Sequence, residues 1–254
     1  MKLTLILPLY NEVENIPKIE EELLPVVDAL SQTSHVEVLL IDDGSSDGTW
    51  DALVDTFSRL NRHNLEFRFE RHSINQGLGA ALRTGFAAST GDVIITTDGD
   101  GSYHFNEIPN LLSHLQPDVD IVTASPYHPD GNVEGVAGYR LLLSRGSSFL
   151  YRILVDWRIN TFTCLFRAYR REVIEKITVE SDGYRGVTEI LVKALLMGYR
   201  AGEYPATLHK RSLGTSKVRL IQTILDHLRF QALILFHRIN LKPMVVQTMG
   251  SRET

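Results

Sequence analysis

A single cysteine, Cys164, among 254 residues excludes an intrachain disulfide and any zinc site built from several thiolates. Alone, it reads as a small buried apolar residue. Long hydrophobic runs are lacking too. Charge-free apolar stretches such as residues 230–236 fall far short of the roughly 20 residues that cross a bilayer, so no spanning helix is expected. Met1-Lys2-Leu3-Thr4 runs straight into a strand-like segment without the cleavage pattern of a signal peptide, which points to the cytoplasm. There is no internal repeat and no low-complexity tract. With 43% hydrophobic and 22% charged residues, the composition excludes disorder and suits one compact α/β domain with or without a short appendage.

Basic charge is scarce in one half and acidic charge in the other. Residues 1–126 hold 7 Lys/Arg against 20 Asp/Glu, a net −13, whereas residues 127–254 hold 19 against 11, a net +8. An acidic half rich in loop carboxylates suits a divalent metal, and a basic half suits phosphates or an anionic membrane surface. No nucleic-acid partner is expected.

Residues 3–9 form an apolar run ending near Pro8, as a buried parallel strand would. Apolar residues at helical spacing follow over 12–29, then a strand at 36–41. That strand ends in Asp42-Asp43-Gly44-Ser45-Ser46-Asp47-Gly48-Thr49, where Ser46 or Asp47 can cap a helix running to about residue 60. A strand at 65–71, a helix at 76–89 and a strand at 92–97 complete a β-α-β-α-β-α-β pattern. Such alternation predicts an open, mostly parallel sheet with ligands outside the carboxyl ends of its strands. Further on, the sequence predicts a helix at 105–115, a strand at 119–124 and a loop rich in Pro and Gly from 126. Beyond it lie helices at 139–155 and 187–197, a strand at 199–209, and a last helix at 218–239. In that helix Ile221, Ile224, Leu225, Leu228, Ala232, Leu235, Phe236 and Ile239 make an apolar stripe with basic edges.

Two carboxylate turns carry the chemistry. Asp98-Gly99-Asp100 emerges directly from the apolar strand and offers two acids beside a glycine, a platform on which Mg²⁺ or Mn²⁺ can neutralise a diphosphate. Asp42-Asp43-Gly44-Ser45 offers Asp43, or Asp42, to a nucleotide base or ribose. Asn75-Gln76-Gly77-Leu78-Gly79-Ala80 opens a helix whose free N–H groups could receive a phosphate, or whose glycines permit close packing.

Read in order, these segments resemble the family 2 glycosyltransferases, in particular the dolichyl- and polyprenyl-phosphate sugar synthase branch. Pro8-Leu9-Tyr10-Asn11-Glu12 is similar to the family's P-x-Y-N-E, residues 41–49 to D-D-G-S-x-D-G-T, residues 75–81 to N-x-G-x-G-x-A, and residues 97–101 to the D-x-D segment. The resemblance implies the A-type glycosyltransferase (nucleotide-diphospho-sugar transferase) fold, with a mostly parallel central sheet and helices on both faces. It implies inversion at the anomeric carbon. It also implies a donor site of Pro8, Tyr10, Glu12, Asp42 or Asp43, Gly77 and Asp98, and a metal held by Asp98 and Asp100. Arg140 with Ser144, and Arg211 with Ser216 and Lys217, resemble the branch's grip on an acceptor phosphate, for which guanidinium and ammonium groups are suited. Thr161, Leu165 and Pro126 depart from the branch, which commonly has Asp, Gly and Arg there.

The expected organisation is a catalytic domain over residues 1–217, with a nucleotide-sugar and metal half at 1–125 and an acceptor half at 126–217. An amphipathic helix and tail occupy 218–254. The expected reaction moves a hexose from a GDP-mannose or UDP-glucose type donor to a polyprenyl or dolichyl phosphate. Such an acceptor is already anionic, since the second pKa of a phosphate monoester is about 6, so no strong base is needed. Transfer to a sugar hydroxyl would need one, and Glu189 is the candidate. A non-catalytic nucleotide-sugar-binding scaffold would share the same donor residues. The last helix either lies on the cytoplasmic membrane face, alone or through a membrane-protein partner, or packs on the sheet.

Overall fold

The computed structural model describes residues 1–211 and 220–238. The expected boundary at 217/218, and Lys217 with it, lies outside the described residues. In chain order the strands are β1 (Lys2–Leu9), β2 (His35–Asp42), β3 (Leu65–Arg71), β4 (Val93–Thr96), β5 (Ile121–Ser125), β6 (Asn132–Glu134), β7 (Arg167–Arg170), β8 (Ala201–Pro205) and β9 (Thr207–His209). The helices are α1 (Ile16–Ser31), α2 (Thr49–Phe57), α3 (Leu78–Ala88), α4 (Ile108–Ser113), α5 (Gly138–Leu154), α6 (Arg171–Lys176), α7 (Arg185–Leu196) and α8 (Leu220–Arg238). Seven strands form one sheet in the order β3-β2-β1-β4-β7-β5-β8, parallel except for β7, while β6 and β9 pair separately.

Alternation along β1 builds both faces of the sheet. Leu3, Leu5, Leu7 and Leu9 pack with Ile16, Ile19, Leu23, Leu53 and Phe57 of α1 and α2, whereas Ile6 packs with Ala81, Leu82 and Ile190 of α3 and α7. With both faces covered, the inner strands read as unbroken apolar runs, as parallel strands do. Register then fixes the rim. Leu9 lies opposite Asp42 and Ile6 opposite Thr96, so the turns after β1, β2 and β4 leave the sheet at one edge.

Two local expectations differ. The strand expected over 199–209 divides after Pro205, which ends β8; β9 leaves the main sheet to pair with β6, a short strand within the Pro- and Gly-rich segment. The helix expected at 105–115 starts as a 3-10 turn, Phe105–Glu107, and continues as the short α4 with Pro109 in its first turn. In the segment after 163, β7 runs antiparallel between β4 and β5, because the chain re-enters the sheet from the ligand edge after its 126–166 excursion. Cys164 is buried, and burial pushes its thiol up to about 11, as suits an inert core residue.

Candidate active site

The turns at the rim are tied to each other before any ligand is considered. Asn11, at φ 52°, donates its backbone N–H to Ser45 Oγ at 2.8 Å and accepts the Ser46 N–H at 2.8 Å. The Glu12 N–H reaches Thr49 Oγ1 at 2.8 Å. Asp47 Oδ1 accepts the Thr49 N–H at 3.0 Å just ahead of α2, whose N-cap residue is Gly48 at φ 92° rather than the expected Ser46 or Asp47. The 10–12 and 43–49 turns therefore form one platform.

Asp43 is the keystone of the next turn. Its Oδ1 accepts from the Gln76 N–H (2.9 Å) and His72 Nδ1 (2.6 Å), and its Oδ2 from the Gly77 N–H (2.8 Å) and Asn75 Nδ2 (3.0 Å). Those contacts occupy both oxygens, so Asp43 shapes the 72–77 loop that walls the cavity. Asp43→Asn places an NH₂ among these donors and is expected to lower the unfolding free energy by about 2–3 kcal/mol, read in urea melts. The glycines have steric reasons. A Cβ on Gly77, at φ 99°, would come 2.4 Å from Asp182 O, and one on Gly79 would come 1.9 Å from Ser181 O. The N–H groups of Gly79 and Ala80 are committed to Asp182 O at 2.7 and 3.3 Å. With Gly77 N–H held by Asp43, these three are not open to a phosphate, which corrects the phosphate-cradle reading; Gly77 remains in the cavity wall.

One cavity at this rim brings together Pro8, Tyr10, Glu12, Asp43, Gly77, Asp98, Asp100 and Arg211. Two of its acids are bridged by one cation: Arg211 Nε lies 2.9 Å from Asp100 Oδ2, and its terminal nitrogen 3.1 Å from Glu12 Oε1. Asp100 Oδ1 accepts the Ser102 N–H at 2.9 Å. Asp98 sits deeper. Burial, and after it the neighbouring Asp100 charge, raise its carboxyl to about 8 against the partial relief of Arg211. A carboxylate disfavoured in this way is one that a divalent ion would restore. Among the described residues no three His, Cys, Asp or Glu side chains cluster as ligands, so the protein offers two carboxylates and leaves other positions to water or phosphate oxygens, a donor set that fits Mg²⁺ or Mn²⁺.

A second cavity of about 590 Å³ lies between α5 and α8 and also reaches Asp98. Leu142, Leu143, Leu150, Ile224 and Leu228 make it apolar, while Arg140 and Ser144, one turn apart on α5, line its polar part. Arg140 is exposed, its Nε 3.2 Å from Tyr139 Oη, and Ser144 Oγ is 2.8 Å from Thr163 Oγ1. The α8 helix packs through Phe230 and Ile234 on α5 and α7, and His227, held neutral by burial, sits 3.0 Å from Tyr151 Oη. The apolar stripe anticipated on this helix largely faces outward: Ile221, Leu225, Leu228, Leu235 and Phe236 are exposed.

Two expected site residues are elsewhere. Asp42, the last residue of β2, faces opposite to Asp43 because side chains alternate along a strand; fully buried, it pairs with Arg71 Nε at 3.1 Å and accepts the Ser45 N–H at 3.1 Å. Glu189 is also fully buried and lines neither cavity. It accepts the backbone N–H groups of Glu180 (2.8 Å) and Ser181 (3.0 Å) and pairs with Lys193 (2.7 Å) and Arg185 (3.3 Å). Its position corrects the general-base reading. Conversely Tyr184 lines both cavities, although an aromatic in a Gly-flanked turn carries no local signal of that.

Comparisons with known proteins bear on the family and the fold. Polyprenol monophosphomannose synthase of Mycolicibacterium smegmatis is 36% identical over 219 residues, covering 84% of this chain and 79% of that protein. Dolichol-phosphate mannosyltransferase of Pyrococcus furiosus is 32% identical over 231 residues, 90% of this chain but 62% of that protein, so the chain spans less than two thirds of its length. Among solved structures, glucosyl-3-phosphoglycerate synthase of Mycobacterium tuberculosis, bound to Mn²⁺, UDP and glucosyl-3-phosphoglycerate, superposes with a TM-score of 0.66 at 19% identity, covering 95% of this chain and 81% of that one; the likeness establishes the A-type fold. The glycosyl transferase family 2 profile matches residues 4–178, and the chain belongs to that family of glycosyltransferases.

Proposed function

We propose that this enzyme transfers a hexose, with inversion, from a nucleoside diphosphate sugar to a polyprenyl phosphate. The observation that carries the reading is the meeting of a carboxylate-lined polar cavity and a long apolar groove at Asp98. Water-soluble donor and lipid acceptor need those two kinds of wall. The names of the two relatives support the lipid phosphate, and donor choice between GDP-mannose and UDP-glucose types is left to experiment.

In this reading Tyr10, Glu12 and the loop shaped by Asp43 surround the nucleotide. Asp98 and Asp100 hold Mg²⁺ or Mn²⁺, which when bound supplies positive charge to the diphosphate as it departs. Arg140 and Ser144 bind the acceptor phosphate, and Arg211, from the nucleotide cavity, adds a second guanidinium. Lys217 is proposed to act with them. Because the phosphate oxygen is already anionic, positioning replaces proton abstraction, in keeping with the burial of Glu189 away from both cavities. Among the described residues no helix is long and apolar enough to cross a membrane. The exposed Leu142, Ile153 and Trp157 near α5, with Ile221 and Leu225 of α8, form a face suited to lie on a lipid surface.

The test offers radiolabelled GDP-mannose and UDP-glucose with Mn²⁺ to a polyprenyl phosphate in detergent, and to 3-phosphoglycerate and a free glycoside as soluble acceptors. The expected product partitions into organic solvent, and Arg140→Ala lowers its rate of formation about 30-fold, the value of a charge-assisted contact. Label passing only to a soluble acceptor would overturn the proposal.

A further inference from the structure

Three residues wall both the nucleotide cavity and the apolar groove: Leu78, Asp98 and Tyr184. Leu78 is apolar and Asp98 is proposed for the metal, so Tyr184 alone of the three brings a neutral hydrogen-bond donor to the junction. The turn that carries it is braced on both sides. Glu189 holds the N–H groups of the 180–181 backbone, Asp182 O receives the N–H of Gly79 at 2.7 Å, and the Arg185 guanidinium lies between Glu189 at 3.3 Å and the Phe230 ring, 4.8 Å from its centroid. The Tyr184 hydroxyl itself is uncommitted: it has no hydrogen-bond partner among the described residues, and the side chain is 40% exposed. A fixed turn thus holds a ready O–H where the two cavities meet. From this placement we infer that Tyr184 is a further catalytic residue, whose O–H donates to the β-phosphate of the nucleotide as the sugar leaves it.

The inference rests on the functional reading above and adds a group to its chemistry. The charges that act on the Tyr184 hydroxyl are those of Asp98, Arg211, Asp100 and Glu12, all of them in the nucleotide cavity, so it faces the diphosphate and not the phosphate held at Arg140. In a nucleotide sugar the β-phosphate carries the sugar, and it is therefore the part of the nucleotide nearest the acceptor groove. During transfer the bond from the anomeric carbon to the β-phosphate oxygen breaks, its electron pair stays on that oxygen, and a new bond forms from the same carbon to an oxygen of the acceptor phosphate. Negative charge grows on the β-phosphate, and a donor already aimed at it is strengthened at that moment. Partial burial, and after it the Asp98 charge, push the phenol up to about 12 against the relief of Arg211. Tyr184 accordingly keeps its proton beside a phosphate whose second pKa is about 6, and acts by hydrogen bonding without proton transfer.

Calorimetric binding with Mn²⁺ and no acceptor present tests the inference, with GDP set against GMP and UDP against UMP. Tyr184→Phe keeps the ring and removes only the hydroxyl. It should weaken the nucleoside diphosphate of the preferred base about tenfold while leaving the monophosphate, which lacks the β-phosphate, and the melting curve unchanged. In the transfer assay the same variant should lower the single-turnover rate about tenfold with the KM for polyprenyl phosphate unchanged, the split expected of a contact that strengthens as the leaving charge develops. Equal diphosphate affinity in the two proteins, or equal losses for diphosphate and monophosphate, would overturn the inference. So would a loss confined to the KM for polyprenyl phosphate, which would move the hydroxyl to the acceptor side. Because the binding arm contains no acceptor, failure of the lipid-phosphate reading would appear only in the transfer assay.

Discussion

Asp98→Asn will lower sugar transfer by about 10³-fold, the several kcal/mol that a catalytic metal contributes to a departing diphosphate, while making the metal-free protein more stable near neutral pH. The two effects have one cause. Burial and the Asp100 charge raise the Asp98 carboxyl from 3.8 to about 8. A carboxyl raised on folding contributes stability that is complete below its unfolded pKa and lost as pH rises through the folded one. The metal-free wild type should therefore lose melting temperature between about pH 4 and pH 8, and the Asn variant should lose less. Metal binding must displace the same proton, so Mn²⁺ affinity of the wild type should climb towards tenfold per pH unit below about 8 and level off above it. Thermal melts with and without Mn²⁺ across this range, paired with transfer rates, check each part. A variant that keeps wild-type transfer rates would remove Asp98 from the metal site.

Glu189→Ala will lower the unfolding free energy by about 3–5 kcal/mol, the cost of leaving one partner of a buried ion pair without the other. Lys193, 3% exposed, would keep only Thr178 O at 2.7 Å and the more distant, exposed Glu180 carboxylate. The 180–181 backbone would lose both of its carboxylate acceptors. That segment leads into Asp182, which receives the N–H of Gly79, so the variant should also weaken donor binding through the 77–79 turn. Transfer by the folded fraction at saturating donor should fall by less than the roughly 100-fold expected for loss of a positioned base. A larger fall, with a lost basic limb in the pH profile, would restore the catalytic role that the buried ion pairs argue against.

How far the sequence discloses this site depends on what each residue's neighbours are. The parallel strands and the edge at which their turns leave the sheet were legible because unbroken apolar runs ended in Asp-Gly turns, and the same signal puts Asp98 and Asp100 at that edge. The same runs hide phase. A strand buried on both faces shows no polar alternation, so nothing in 36–41 tells whether Asp42 or Asp43 turns towards the rim. The role of Glu189 was illegible for another reason: an acid in the first turns of a helix looks the same whether it faces a substrate or receives N–H groups from residues eight and nine positions earlier. The placing of Tyr184 against both cavities comes from long-range packing, which no local pattern in the sequence records. Pro205 is a visible signal of the β8–β9 break, since it has no N–H to carry the ladder onward. The stripe on α8 was read correctly as apolar, but its partner face, centred on Phe230 and Ile234, is what attaches the helix.

That the two cavities meet at Asp98 has an evolutionary corollary. On the proposed reading, base preference would change at Tyr10 and Asn75 and chain-length tolerance along Leu142 and Leu228, residues that each line one cavity and not the other. Asp98 lines both of these cavities, so on the same reading a change there would be felt by each ligand at once.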